Sequence, residues 1–241
     1  MIRTLYIAIW VIFATLVLGL VVIFLSFFVR SGNPMHKIAQ FWGRSILIVS
    51  RIKVSVKWPA DIDRSKSYIY MSNHQSNFDI PVLLGHLKVQ FRWLAKMELF
   101  KIPIFGHAMR KAGYISIDRN KRESAFESLK NAARKIKSGV SVLIFPEGTR
   151  SRDGKIRPFK KGGFIMAIDS GAPIVPIVIS GTRSIMTKGS IKINPGKVSV
   201  VVHQPIQTSV YTRETKEALM ERVRRIIRDG LENIETGNSV C

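Results

Sequence analysis

The sequence predicts an α/β fold: a mixed, largely parallel sheet flanked by helices, preceded by an N-terminal hydrophobic helix and an amphipathic second helix. Three observations carry this. From residue 52 onward, short apolar runs of strand length alternate with segments of helical periodicity. No charged residue lies between Arg3 and Arg30, and Leu5 to Val29 is almost wholly apolar. Between that run and the first strand, Pro34 to Arg51 carries apolar residues near helical spacing.

At a rise of ~1.5 Å per residue, the apolar run is long enough to cross a ~30 Å hydrocarbon core. A cleavable signal would have a shorter apolar region, of about 7–15 residues, closed by a small-residue cleavage site. This run is longer and ends in bulky Phe27-Phe28-Val29, which predicts a retained anchor. In the second helix Met35, Ile38, Trp42, Ser45, Ile46 and Val49 share one side, while Lys37, Arg44 and Arg51 repeat on another. That pattern fits two settings: the membrane interface with Trp42 at headgroup depth, or the face of a sheet. Whether the apolar run spans the bilayer or enters one leaflet stays open with it. Residues 1–51 thus read as membrane-anchoring helices and 52–241 as one catalytic-sized domain.

The strands expected in that domain are Ile52–Lys57, Ser67–Met71, Phe91–Ala95, Gly113–Ile117, Ser141–Phe145, Pro173–Ile179 and Val198–Val202. Ile80–Leu87 reads as a helix. Asn120 and Glu123 form a capping box for another, which uses Ala125, Leu129, Ala132 and Ile136 and stops at Gly139. A later helix from about Thr212 to Ile234 lines up Leu219, Val223, Ile226, Ile227 and Leu231. No internal repeat or low-complexity tract is present.

The formal net charge is +22. Such an excess calls for a polyanionic partner: nucleic acid, acidic headgroups or a phosphorylated substrate. The anchor turns the choice to lipid, since a basic residue beside an anionic leaflet gains about 1 kcal/mol. His36, Lys37, Arg44, Arg51, Lys53 and Lys57 follow the anchor, against Arg3 before it, which places the domain on the cytoplasmic side. The single Cys241 excludes an internal disulfide framework and a thiolate metal cluster. His36, His86, His107 and His203 lack ligand spacing, so no metal is expected and they read as surface or packing residues.

Four stretches carry candidate chemistry. In "SNHQSNFD", His74 and Asp79 meet only if His74 sits in a strand-exit loop and Asp79 in the first turn of the next helix. The aspartate would then fix the imidazole tautomer and free the second nitrogen as a base; the alternative is a solvated turn and helix cap. "IFPEGTRS" ends a strand in Glu147, Gly148 and Arg150, at the edge of an open α/β sheet where ligands bind; the alternative is a polar turn with a Glu147–Arg150 ion pair. "GYISIDRN" presents Arg119 at another strand exit, as a phosphate site or a structural ion pair. "RPFKKGGF" sets Arg157, Lys160 and Lys161 before two glycines, as a phosphate-facing loop or a solvated basic turn.

"NHQSNFD", "GYISIDR", "FPEGTR" and "APIVPIVI" (Ala172–Ile179), in this order, resemble the lysophosphatidic acid acyltransferases of the glycerolipid acyltransferase superfamily. The resemblance covers roughly residues 50–205. It implies that His74 is the general base for the sn-2 hydroxyl of a 1-acyl-glycerol 3-phosphate and that Asp79 orients it. It further implies direct transfer from an acyl thioester, acyl-CoA or acyl carrier protein, with no other cofactor. Arg119, Glu147, Gly148, Arg150 and also Lys160 or Lys161 would bind the acceptor, with Glu147 orienting an arginine or accepting from a substrate hydroxyl. Consistently, there is no Gly-x-Ser-x-Gly elbow, and no acyl-enzyme is required. Oxyanion donors are expected among loop amides near His74 or from Asn73. The partners implied are membrane phospholipids, lysophosphatidic acid and the acyl carrier, not nucleic acid. Two rivals stand beside this: another acceptor (glycerol 3-phosphate, another lysophospholipid or a lyso-aminolipid), or a non-catalytic tethered binder of anionic lipid. The second explains the charge but not the paired His74 and Asp79.

Overall fold

The computed structural model describes residues 1–59, 62–63, 65–118 and 121–237, with the backbone alone at Arg122. The elements run α1 (Ile2–Leu25), α2 (Gly32–Val49), β1 (Ile52–Lys57), β2 (Ile69–Ser72), α3 (Asp79–His86) and β3 (Arg92–Lys96). After a 3-10 turn at Met97–Lys101 come α4 (Phe105–Lys111), β4 (Ile115–Ile117), α5 (Arg122–Lys137), β5 (Val142–Ile144) and α6 (Gly162–Ser170). The chain continues through β6 (Ile174–Ser180), α7 (Thr182–Ile185), β7 (Gly196–Val202) and α8 (Lys216–Glu235).

All seven expected strands form, with ends displaced by no more than two residues. The helices differ more. The apolar helix stops at Leu25 rather than Val29, because Ser26–Phe28 turn. The C-terminal helix starts at Lys216, after a turn in which the Thr212 N–H donates to Thr215 Oγ1 at 2.8 Å. Gly162 and Gly163, expected in a loop, open α6 instead. Their missing side chains let the helix press on Leu129 and Ile144. Asn120 of the expected capping box and Cys241 lie outside the described residues.

The strands form one sheet in the order β1-β7-β6-β2-β5-β3-β4. β2 to β6 run parallel to one another, while β7 is antiparallel to β6 and parallel to β1. Burial on both faces explains why β2, β5 and β6 read as continuous apolar runs rather than alternating ones. Ile69, Met71, Val142 and Ile144 enter the core beneath α5, α6 and α8. Tyr70, Leu143, Val175 and Ile177 enter the opposite core, with Ile46, Leu47, Val82 and Leu83 of α2 and α3. The parallel arrangement brings the carboxyl ends of β2, β5 and β3 to one edge, which is where such sheets bind ligands.

α2 therefore packs on the sheet, although Phe41 and Ile48 stay exposed on its outer side. Close approach to α3 depends on Gly43, where a Cβ would lie 2.9 Å from the Pro81 carbonyl oxygen. Arg44 Nε completes the contact by donating to Gly85 O at 2.7 Å. α1 is long and apolar enough to cross a membrane by length and composition, yet it is tied to the domain along its length. Arg3 donates to Ser50 O at 2.5 Å, and the Ile193 N–H donates to Thr4 Oγ1 at 3.2 Å. Trp42 Nε1 donates to Thr15 Oγ1 at 3.0 Å, and Gly19 abuts Ile104. Leu5, Ile9, Ile12, Phe13, Leu16 and Leu20 point outward.

His36 is a packing residue, fully buried in α2. Its Nδ1 accepts from the Tyr114 hydroxyl at 3.0 Å and its Nε2–H faces the Val89 carbonyl at 3.3 Å. Burial, then the nearby Arg92 charge, lowers its pKa from 6.5 to about 3. Because the folded value is the lower one, the unfolded chain takes a proton that the folded chain refuses. This contribution is complete above pH 6.5 and is lost as pH falls towards 3. His36→Gln keeps an acceptor and a donor but does not titrate. Thermal unfolding is expected to show a steeper loss of stability on acidification in the parent than in this variant; parallel curves would refute the assignment.

Candidate active site

β2 ends at Ser72, and Asn73 then closes the sheet with its side chain. Asn73 Nδ2 donates to Ile179 O, and Asn73 Oδ1 accepts from Ile179 N, both at 2.8 Å. This amide mimics a strand partner for β6 and is fully buried. The side chain is turned to β6 and does not line the cavity beside His74, which corrects the expectation of Asn73 as an oxyanion donor.

The turn that follows brings His74 to Asp79, the first residue of α3. Asp79 Oδ2 accepts from His74 Nδ1 at 2.7 Å, from Gln75 N at 2.8 Å and from Ser76 N at 2.9 Å. A carboxylate only accepts, so Nδ1 carries the hydrogen and Nε2 keeps its lone pair. The imidazole stacks on Phe145, with centroids 3.9 Å apart and planes at 7°, and Phe145 in turn stacks on Trp93. The ring plane is thus fixed by Phe145, itself part of the cavity wall, and the tautomer by Asp79 behind it.

Glu147, at the exit of β5, is only 2% exposed. Its Oε1 accepts from His74 N at 2.8 Å and its Oε2 from Arg157 N at 3.0 Å. Ser151 N donates to His74 O at 2.7 Å, so the same loop grips His74 at both main-chain groups. Glu147 therefore makes no ion pair with Arg150 or another arginine of the described residues and does not line the cavity below: its oxygens hold main chain. Burial pushes its pKa up to about 7, against the lowering effect of the two N–H donors. Gly148 follows with φ of 72°, a conformation that costs other residues roughly 1–2 kcal/mol.

His74, Gly148 and Arg150 line one cavity of about 620 Å³, within the ~300–1,000 Å³ of small-molecule pockets. Its polar lining comes from strand exits and the following turns: His74, Asn77, Lys96, Thr149 and Arg150. Its apolar walls come from α1, α2 and α4, among them Leu18, Val22, Met35, Trp42 and Met109. Lys160 lies against Gly148 but not in the lining, and the Lys161 ammonium pairs with Glu217 of α8 at 3.0 Å, away from it. Arg119 lies outside the described residues. The sequence reading passed over Lys96, although it ends a strand, as Glu147 follows one. It also passed over Trp93 and Phe145, which support the imidazole, and the walls built by α1 and α4. Among the described residues no group of three or more His, Cys, Asp or Glu is arranged to hold a metal ion.

The imidazole oriented at a strand exit thus opens on a largely apolar cavity with cations at its polar end. The sequence model of the family described as Acyltransferase matches residues 53–180. The 1-acyl-sn-glycerol-3-phosphate acyltransferase of Haemophilus influenzae is 34% identical over 193 residues, covering 78% of each chain. The chloroplastic enzyme of the same name from Brassica napus is 41% identical over 176 residues, 72% of this chain and 51% of that one. Relative to such plant relatives, the chain spans about half their length. The crystal structure of the 1-acyl-sn-glycerophosphate acyltransferase from Thermotoga maritima superposes with a TM-score of 0.84 at 31% identity, covering 97% of this chain and 95% of that one. The chain belongs to the acyltransferase family, in its group of 1-acyl-sn-glycerol-3-phosphate acyltransferases.

Glu147→Ala strips two main-chain amides of their acceptor and is expected to cost about 1–3 kcal/mol in denaturant unfolding. Glu147→Gln tests the titration. The folded pKa of about 7 exceeds the ordinary 4.5, so the folded parent binds the extra proton and loses stability as pH rises from 4.5 to 7. The parent should therefore fall relative to the Gln variant across that interval, and an unchanging difference would contradict the raised value.

Proposed function

We propose that the protein transfers a fatty acyl group from an acyl thioester to the sn-2 hydroxyl of 1-acyl-sn-glycerol 3-phosphate, forming phosphatidic acid. The observation that carries this is the His74–Asp79 pair opening on an amphiphile-shaped cavity, polar at the strand exits and apolar between α1, α2 and α4. His74 Nε2 takes the hydroxyl proton while Asp79 stabilises the resulting imidazolium. The substrate oxygen bonds to the thioester carbon, the C–S bond breaks, and the thiolate recovers the proton from His74. The thioester is the only co-reactant. Arg150 and Lys96, both lining the cavity, supply the charge for the acceptor phosphate. Glu147 and Gly148 act on the two loops that carry His74 and Arg150.

The reading extends to the membrane. Contacts from Arg3 to Val22 hold α1 along the domain, and its outward face is apolar, as are Phe27, Phe28, Phe41 and Ile48. A helix bound to one globular domain over its full length suits insertion into one leaflet better than a crossing. The basic residues after α1 favour the cytoplasmic leaflet. The acceptor then reaches His74 without leaving the lipid phase.

Purified protein is expected to convert lysophosphatidic acid with an acyl thioester, and His74→Ala to reduce kcat by about 10²–10⁴-fold. Activity within tenfold of the parent would reject the general-base role. Turnover of glycerol 3-phosphate or another lysolipid, without turnover of lysophosphatidic acid, would reject the acceptor.

A further inference from the structure

Trp10, Trp42 and Trp93 belong to one hydrophobic core, and their indole N–H groups fare differently. Trp10 Nε1 donates to Ser45 Oγ at 3.3 Å, and Trp42 Nε1 donates to Thr15 Oγ1 at 3.0 Å. Trp93 is only 5% exposed, and its Nε1 is buried with no hydrogen-bond partner among the described residues. An indole N–H can only donate. Leaving a buried donor unmade forfeits more than a typical made bond gains. Packing does not call for the nitrogen. Trp93 stacks on Phe145 with centroids 5.4 Å apart and meets Phe91 edge-on at 5.3 Å. Both are ring contacts that a phenylalanine also makes.

The place of this indole along the cavity says what it could meet. His74, Phe145 and Trp93 all line the cavity, so their stack forms one stretch of its wall, with the imidazole at one end and the indole at the other. On the far side of the indole the wall is apolar. β3 and β4 pair in parallel from Leu94 and Ile115, the residues that follow Trp93 and Tyr114. Tyr114 lines the cavity together with Met35, Met109 and Ala112. Trp93 thus stands between the reactive nitrogen and the hydrocarbon-like end. A lysolipid with its free hydroxyl at His74 and its chain among α1, α2 and α4 brings the ester that joins chain to glycerol to the same stretch. The carbonyl oxygen of that ester accepts and has no donor of its own.

We propose that Trp93 Nε1 donates to the carbonyl oxygen of the 1-acyl ester, so that the site selects ester-linked over ether-linked lysophosphatidic acid. The inference rests on the acyl-transfer reading and specifies the substrate class. A 1-O-alkyl lysolipid keeps the phosphate, the hydroxyl and the chain but lacks the carbonyl, and its binding leaves the indole unpaired. A site built to hydrogen-bond one group discriminates against the analogue that lacks it for this reason. The thioester carbonyl fits the indole less well. It reacts with the oxygen held at His74 Nε2, beside the imidazole, whereas the indole lies beyond Phe145.

The test compares 1-acyl and 1-O-alkyl lysophosphatidic acid of equal chain length, with the full chain and with Trp93→Phe. The substitution keeps a ring to stack on Phe145 and removes the N–H. The parent is expected to favour the ester by about tenfold in kcat/KM, or ~1.4 kcal/mol. Trp93→Phe should lower the ester value by a similar factor, chiefly through KM, and leave the ether value within twofold. An equal fall for both lysolipids marks loss of packing, or a contact with the reacting carbonyl, and overturns the proposal. So does a parent that treats ester and ether alike, a result read without any variant and so independent of whether Trp93→Phe folds. Calorimetric titration of the parent with short-chain ester and ether lysolipids should show the same tenfold preference in Kd. If no thioester supports transfer to either lysolipid, the acyl-transfer reading falls, while the titration still decides the indole contact.

Discussion

Taking a carboxylate out of water costs on the order of several kcal/mol unless donors replace the solvent. The turn from β2 to α3 is shaped around meeting that cost at Asp79 Oδ2, while Oδ1 is buried without a hydrogen-bond partner among the described residues. Three donors from a single turn converge on its Oδ2, two of them main-chain amides that cannot be supplied unless the turn adopts this path. The imidazole is the third. Its orientation is thus a by-product of solvating a buried charge at the start of a helix, where the helix end also favours a negative group. The β5 exit then locks the arrangement from the other side, through Glu147 on the His74 amide and Ser151 on its carbonyl.

Asp79 and Glu147 divide the labour. Asp79 gathers its donors onto one oxygen and addresses the ring. Glu147 spreads two main-chain donors over two oxygens and addresses the loops, under burial that raises its pKa. Asp79 ties its own loop to the helix that follows, whereas Glu147 ties the β2 exit to residue 157, remote in sequence. A glutamate in a strand-exit turn looks like a substrate ligand in sequence, because sequence shows the carboxylate but not the two amides that occupy it.

That difference explains what was legible. β2, β5 and β6 were readable since each is a short apolar run buried on both faces, which suppresses any competing helical period. His74 and Asp79 were readable since their encounter is local, set by one strand end and one helix start. Lys96 and the cavity walls were not, because they meet only when α1, α2 and α4 assemble against the strand exits. Glycine misled the reading of α6. Gly162 and Gly163 signal a loop by propensity, but here they allow helix contact with Ile144 and Leu129. Asn73 misled it too, as a polar residue beside a reactive one whose side chain completes the sheet.

α1 connects these local devices to the membrane. Its outward residues are apolar and exposed, while Thr15, Leu18, Gly19 and Val22 on its inner side wall the cavity that ends at His74. One helix is therefore both a surface suited to lipid and a wall of the substrate site. On the proposed reading, this removes the need to carry a lysolipid's chain through water. The chain passes from one apolar environment to another across the thickness of α1 and α2, and the free energy of extracting it from the bilayer is largely conserved. The charged head meets Lys96 and Arg150 at the polar end. The reactive hydroxyl is then held between an apolar anchor and a phosphate anchor, and two-point attachment of that kind orients it for a fixed imidazole.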